Sequence, residues 1–344
     1  MRPALLFNMP GARGSRDPTV AATLARRYIE HSRRAADPRF LGYAQGVLEP
    51  WWTDPDAPVE LILLRATIKQ SRHQFPSALD DLDTVLQRKP DSAQAWLTRA
   101  TVLRVMGRFV AASTACDRLV GIADPQVAGI CKWSVAGSRG ALPRAYDELL
   151  ALSQAQSAPA IAAWMAAELA DMAERLGRPE DAERHYRNGM AQAPEDLGLR
   201  AAYADLLLDL GRAREVLDLV HGLDDADALQ LRHALALKQL DDPRFAALDA
   251  QIEAAFANAH LRKEELHLRE EARYALHAHA DAERALHLAT MNWAIQREPW
   301  DARVLLEAAQ AAAQPQAAQP VRDFLDASGM QDARLLPYLG SQAP

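Results

Sequence analysis

Residues 59–90 read VELILLRATIKQSRHQFPSALDDLDTVLQRKP, and residues 93–124 read AQAWLTRATVLRVMGRFVAASTACDRLVGIAD. Set one above the other at an offset of 34, the two stretches share the triplet Arg65-Ala66-Thr67 and Arg99-Ala100-Thr101. Ala78 and Ala112 match at that offset, as do Asp83 and Asp117. Further along, Ala170 and Ala204 are again 34 apart, and so are Gly177 and Gly211. One period found in two separate blocks marks an internal repeat, in which each unit stacks on its neighbours because it cannot bury its apolar face alone.

The rest of the chain is consistent with a helical array. Of 344 residues, 49% are apolar and 25% charged, enough for a folded core. Ala, Leu and Arg dominate and aromatics are only 6%, which favours helix over strand. The longest apolar run, Ala160 to Ala167, is far short of the ~20 residues a membrane span needs. Net charge is −7, while the first 40 residues hold eight Arg against three acids, so the body is strongly acidic. An acidic body repels phosphate backbones, and no nucleic-acid partner is expected. Near the start, Arg2 and Ala4-Leu5-Leu6-Phe7 give an apolar stretch too short for an export signal. The chain as written is expected to be cytoplasmic; a trimmed or missed signal would make it periplasmic.

The repeat resembles the tetratricopeptide repeat, a helix–turn–helix unit. With Val59 as position 1, Ala66 falls at 8, Phe75 at 17, Ala78 at 20 and Pro90 at 32. From Ala93, Trp96 is at 4, Ala100 at 8, Gly107 at 15 and Ala112 at 20. From Ala163, Ala170 is at 8, Gly177 at 15, Ala182 at 20 and Pro194 at 32; from Leu197, Ala204 is at 8 and Gly211 at 15, with Val216 at 20. Positions 8 and 20 are where the two helices approach most closely. Gly near 15 ends the first helix with positive φ, and Pro near 32 stops the second. The stretches Asp37–Trp52 and Asn292–Ala308 are similar to a group of bacterial repeat proteins with no assigned activity. The resemblance implies an all-α, right-handed α-solenoid.

The array is expected to run as follows: 1–18 disordered; 19–58 a leading helical pair and a Trp-containing loop; 59–125 two repeats; 126–162 a degenerate repeat; 163–226 two repeats; 227–299 degenerate repeats; 300–344 capping helices and a tail. This gives about nine helical pairs, with helices near the usual 11–12 residues.

No phosphate-binding, nucleophile-elbow or zinc-protease motif occurs, so no catalytic residue, cofactor or metal is expected. The strongest rival is chemistry on the His-rich stretch near 260–287, where His260, Glu264, His267 and Glu271 share one helical face if the helix is continuous. Such a face could hold a divalent metal or serve a small-molecule enzyme. Trp51-Trp52 reads as a plug for the next hairpin or as a hot spot for a partner. Arg65 and Arg99 occupy normally apolar position 7, so a structural ion-pair ladder with Asp83 and Asp117 is expected. Cys116 and Cys131 should be near neighbours, as a disulfide or as two thiols.

The resemblance implies a non-catalytic scaffold that binds a protein or peptide segment in a concave groove. Family groove positions map to Leu63 and Thr67 in one repeat and to Leu97, Thr101 and Arg104 in the next. In the later repeats they map to Glu168, Asp171, Glu174, Asp205 and Asp209, opposed mainly by Arg175. This acidic stretch predicts a neutral-to-basic partner.

Overall fold

The computed structural model describes residues 17–223, 226–261 and 267–339. The expectation for residues 1–16 therefore lies outside the described residues. Among them the secondary structure is all helical, in nine successive hairpins: α1 (Pro18–Ala35) with α2 (Arg39–Leu48), α3 (Val59–Ser71) with α4 (Phe75–Arg88), and α5 (Ala93–Val105) with α6 (Phe109–Asp117). Next come α7 (Pro125–Gly137) with α8 (Leu142–Leu152), α9 (Pro159–Arg175) with α10 (Pro179–Gln192), and α11 (Leu197–Asp209) with α12 (Ala213–Val220). The last three are α13 (Asp227–Gln239) with α14 (Phe245–Leu261), α15 (Leu268–His279) with α16 (Ala282–Ile295), and α17 (Pro299–Ala311) with α18 (Gln319–Ser328), followed by the single-turn α19 (Leu336–Leu339).

Local chemistry sets the helix ends. Asp17, Asp124, Asp196 and Asp281 accept from backbone N–H groups of the first turn, satisfying donors that the helix leaves open. Proline begins α1, α7, α9, α10 and α17, where its missing N–H costs nothing. Each first helix ends at a residue with positive φ. Glycine holds this place at 107, 140, 177 and 211, but Ala36, His73, Asp241, Ala280 and Ala313 hold it in the other hairpins. The left-handed conformation costs a residue with a Cβ roughly 1–2 kcal/mol. Exposed Ala280 has φ 55°, so Ala280→Gly should raise stability by about 1 kcal/mol, read as a higher Tm. A lowered Tm would show that the turn is not left-handed.

Packing follows the repeat register. Ala66, Ala78, Ala100, Ala112, Ala170, Ala182 and Ala204 are all buried where the two helices of a hairpin meet. Val216 is also fully buried at a position where the other hairpins use alanine. Ala100→Leu should cost ~1–3 kcal/mol by overpacking, and an unchanged melting temperature would contradict this register.

The position-7 arginines pair differently from the expected ladder. Arg65 is buried and grips Asp81, not Asp83, with Nε–Oδ2 2.9 Å and Nη2–Oδ1 2.7 Å. Arg99 takes Asp83, and both partners are more exposed. Two residues along a helix turn ~200°, so Asp81 faces Arg65 of its own hairpin while Asp83 faces Arg99 of the following one. Arg65 Nη1 also donates to the carbonyls of Trp51, Trp52 and Asp54 at 2.7–3.2 Å. The Trp51-Trp52 loop is thereby tied to α3. Trp51 packs against two adjoining cores, in the manner of a plug.

Cys116 of α6 and Cys131 of α7 form a disulfide between consecutive hairpins. A bridge across 15 residues should contribute about 3 kcal/mol by restricting the unfolded chain. Denatured, non-reduced protein is expected to contain no titratable thiol. Two thiols would contradict the bridge.

The array closes on itself. Helix α1 touches α11, so the sixth hairpin returns beside the first. The last two hairpins then lie across the C-terminal ends of the first helices. Arg297 N donates to Val105 O at 2.8 Å, and Phe324 packs on Phe109 with ring centroids 5.8 Å apart.

Candidate partner-binding interior

Half-buried residues run as stripes along the first helices, three per helix at i, i+4, i+7. They are Leu63, Thr67 and Gln70 on α3, Leu97, Thr101 and Arg104 on α5, and Trp164, Glu168 and Asp171 on α9. That spacing puts each trio on one face. The Thr67 and Thr101 hydroxyls donate to the carbonyls of Leu63 and Leu97, one turn back on the same helix. The inner face is therefore apolar and hydroxyl-bearing over the first two positions on α3 and α5, where Gln70 and Arg104 follow, and acidic on α9 and α11.

The structure brings the acids together, but with cations of the same chain. Asp205 is buried between Arg232 (Oδ1–Nε 2.9 Å, Oδ2–Nη2 2.7 Å) and Arg273. Asp209 is clamped by Arg303. Glu174 pairs with Arg334 at 2.9 Å and accepts from Tyr186 at 2.5 Å. Asp171 lies 3.4 Å from Arg175 and 3.8 Å from Arg334. Glu168 is 3.7 Å from Arg104, which also lies 3.9 Å from Glu298. Expecting these acids to be opposed mainly by Arg175 is thus corrected. Arg175 turns its guanidinium to Gly137 O (2.6 Å), where it caps the α7 terminus, while Arg232, Arg273, Arg303 and Arg334 neutralise the stripe.

The electrostatics sort these carboxylates. Burial alone would raise Asp205, but Arg232 and Arg273 outweigh it and hold the carboxyl at about 2. Burial dominates at Glu174 and pushes it up to about 7, although Arg334 and Tyr186 pull the other way. Burial likewise raises Asp171, against Arg175 and Arg334. Trp300 sits among three of these cations, Arg303, Arg273 and Arg334, each guanidinium 4.6–5.2 Å from the ring centre.

The described groups of the His-rich stretch are arranged differently from a single helical face. Helix α14 is described to Leu261 and α15 from Leu268, and Glu264 lies outside the described residues. His260 instead reaches across to Glu271 at 2.8 Å, and Glu271 also receives Arg284 at 2.8 Å. A different trio does converge: Asp249, Glu253 and His279 place one ligand atom each within 4.8 Å of one another. Tyr274 donates to Asp249 at 2.8 Å and Arg284 to Glu253 at 3.0 Å, so hydrogen bonds already engage both carboxylates.

No family model matches the chain, and no curated protein matches it significantly. Solved structures do resemble it. One is a tetratricopeptide protein of Thermus thermophilus (20% identity, 56% of this chain and 99% of that one, TM-score 0.44). Another is PilW, a type IV pilus biogenesis factor (21%, 63% and 98%, 0.42). A third is a tetratricopeptide protein of Parabacteroides merdae (16%, 83% and 98%, 0.37). The described residues form an all-α solenoid of nine hairpins, with a 34-residue period and alanine where paired helices meet, as the tetratricopeptide pattern has them.

Proposed function

We propose that the chain is a non-catalytic scaffold that holds a segment of another protein against its inner face. The observation that carries this reading is the stripe on consecutive helices, Leu63 and Thr67 on α3 and Leu97 and Thr101 on α5. These side chains are half-buried: Leu63 and Leu97 pack on one core cluster, and the Thr67 and Thr101 hydroxyls donate to carbonyls of their own helices. An apolar surface with hydroxyls suits an uncharged segment, whose burial supplies affinity at ~25 cal/mol per Å² before ordering costs. The acids of α9 and α11 contribute less to this first contact than their number suggests, because the chain's own arginines already engage them.

The test is a partner pull-down and titration with Thr67→Arg/Thr101→Arg. Long side chains at these half-buried sites keep their charged ends in water and fill the inner face. The variant should melt like wild type and lose its partner. Retained binding by the folded variant would reject the site. Stoichiometric metal in the purified protein would favour an enzyme using the 260–287 stretch.

We also propose a compartment oxidising enough to keep the Cys116–Cys131 bond, such as the periplasm. Fractionation of native cells tests this. Exclusive recovery with cytosolic markers would contradict it.

A further inference from the structure

The segment Ser328–Leu335 (SGMQDARL) joins α18 to α19 and lies on the first turn of the array more like a bound peptide than like another hairpin. Its backbone crosses two glycine turns. A Cβ on Gly140 would lie 3.3 Å from Gly329 O, and one on Gly177 would lie 3.4 Å from the Ala333 Cβ. Both glycines have positive φ, so a side chain there is strained as well as crowded. Polar contacts add to these. Gln331 Oε1 accepts from Leu142 N at 3.3 Å, and Gln331 O accepts from Arg175 Nε at 3.2 Å. Arg334 reaches Glu174 at 2.9 Å and Asp171 at 3.8 Å.

The segment's apolar anchors point the other way. Met330 and Leu335 are buried in the core of the last two hairpins. What ties the segment to the α7–α8 turn and to α9 is therefore a pair of hydrogen bonds, to Leu142 and Arg175, and a buried ion pair between Arg334 and Glu174. The same bonds could be made by a chain that carries a guanidinium three residues after a carboxamide and turns there as Ala333–Leu335 does.

We propose that the α7–α8 turn and the end of α9 form a receptor surface for an arginine-bearing peptide, and that residues 328–335 are its resident intramolecular occupant. A protein segment with this chemistry binds by displacing the occupant, so the chain is self-inhibited toward basic partners until the occupant is displaced. This deepens the scaffold reading above and rests on it. It also accounts for an acidic stripe that is fully engaged at rest.

Hydrogen exchange and peptide titration on the full chain test this. In Gln331→Ala/Arg334→Ala, residues 319–339 should exchange about tenfold faster or more, with residues 59–137 unchanged. The probe is the synthetic peptide SGMQDARL, alongside the same peptide with Arg334→Glu. The double variant should bind the arginine peptide at least about tenfold more tightly than wild type does, and should not bind the glutamate peptide. Because the double variant could unfold the C-terminal hairpins, Glu174→Gln provides a second route from the receptor side. It keeps an acceptor for Tyr186, and it should also speed exchange in 319–339. Unchanged exchange in both variants, or an opened variant that binds the two peptides alike or not at all, would overturn the proposal. Such an outcome is separable from failure of the scaffold reading, which the Thr67→Arg/Thr101→Arg variant tests on a different surface.

Discussion

Asp205→Ala is expected to destabilise the chain by on the order of 3–5 kcal/mol, because it leaves Arg232 and Arg273 buried without their shared counter-ion. That is a large share of the 5–15 kcal/mol that usually separates folded from unfolded protein. Urea unfolding of wild type and variant measures it. A change below about 1 kcal/mol would mean that the two guanidiniums are hydrated and the interior is more open than described. The same site sets a pH dependence. The folded Asp205 carboxyl is held at about 2, below the ~3.9 of an unfolded chain, so its contribution is complete above that ordinary value and is lost as pH falls towards 2. Glu174 acts in the opposite sense. Its carboxyl is pushed up to about 7, so it favours the folded state most below its ordinary pKa, and that share shrinks as pH rises towards 7.

The second large effect is expected at Asp81. Its carboxylate binds Arg65 through two hydrogen bonds and lies 2.7 Å from Lys69 Nζ, and all three side chains are largely shielded from water. Asp81→Ala should cost about 3–5 kcal/mol, and should also loosen the Trp51–Asp54 loop, whose carbonyls Arg65 holds. Asp83→Ala, two residues away, should cost only ~0–1 kcal/mol, since the Arg99–Asp83 pair is half open to solvent. Comparing the two melting curves discriminates the pairings: if Asp83→Ala is the more damaging, Arg65 is bound as the 34-residue spacing alone suggests.

Spacing made the hairpins legible because sterics tolerate only small residues where paired helices cross. It did not show which acid of α4 meets Arg65, since Asp81 and Asp83 both follow it at plausible distances and a helix turns ~100° per residue. The weaker hairpins were hard to read for a definite reason. Their turns use Ala36, Asp241, Ala280 and Ala313 in a left-handed conformation that glycine would have advertised. The residue types at those turns do not record it. The acids of the inner face were legible from their position in the repeat. Their partners were not, because Arg232, Arg273, Arg303 and Arg334 arrive from 27, 68, 94 and 160 residues away, and no period connects them to the acids they neutralise.

That closure is the central claim, and one engineered cross-link tests it most directly. A Cβ at position 177 falls 3.4 Å from the Ala333 Cβ, close to the ~3.5–4.5 Å spanned by a disulfide. The native cysteines are already paired with each other, so they offer no competing thiol. Gly177→Cys/Ala333→Cys, oxidised under mild conditions, should link residues 156 positions apart and leave no free thiol on denaturation, even after the cost of placing a side chain at positive φ. Two free thiols at these positions in folded protein would contradict the closed array and leave the acidic interior open.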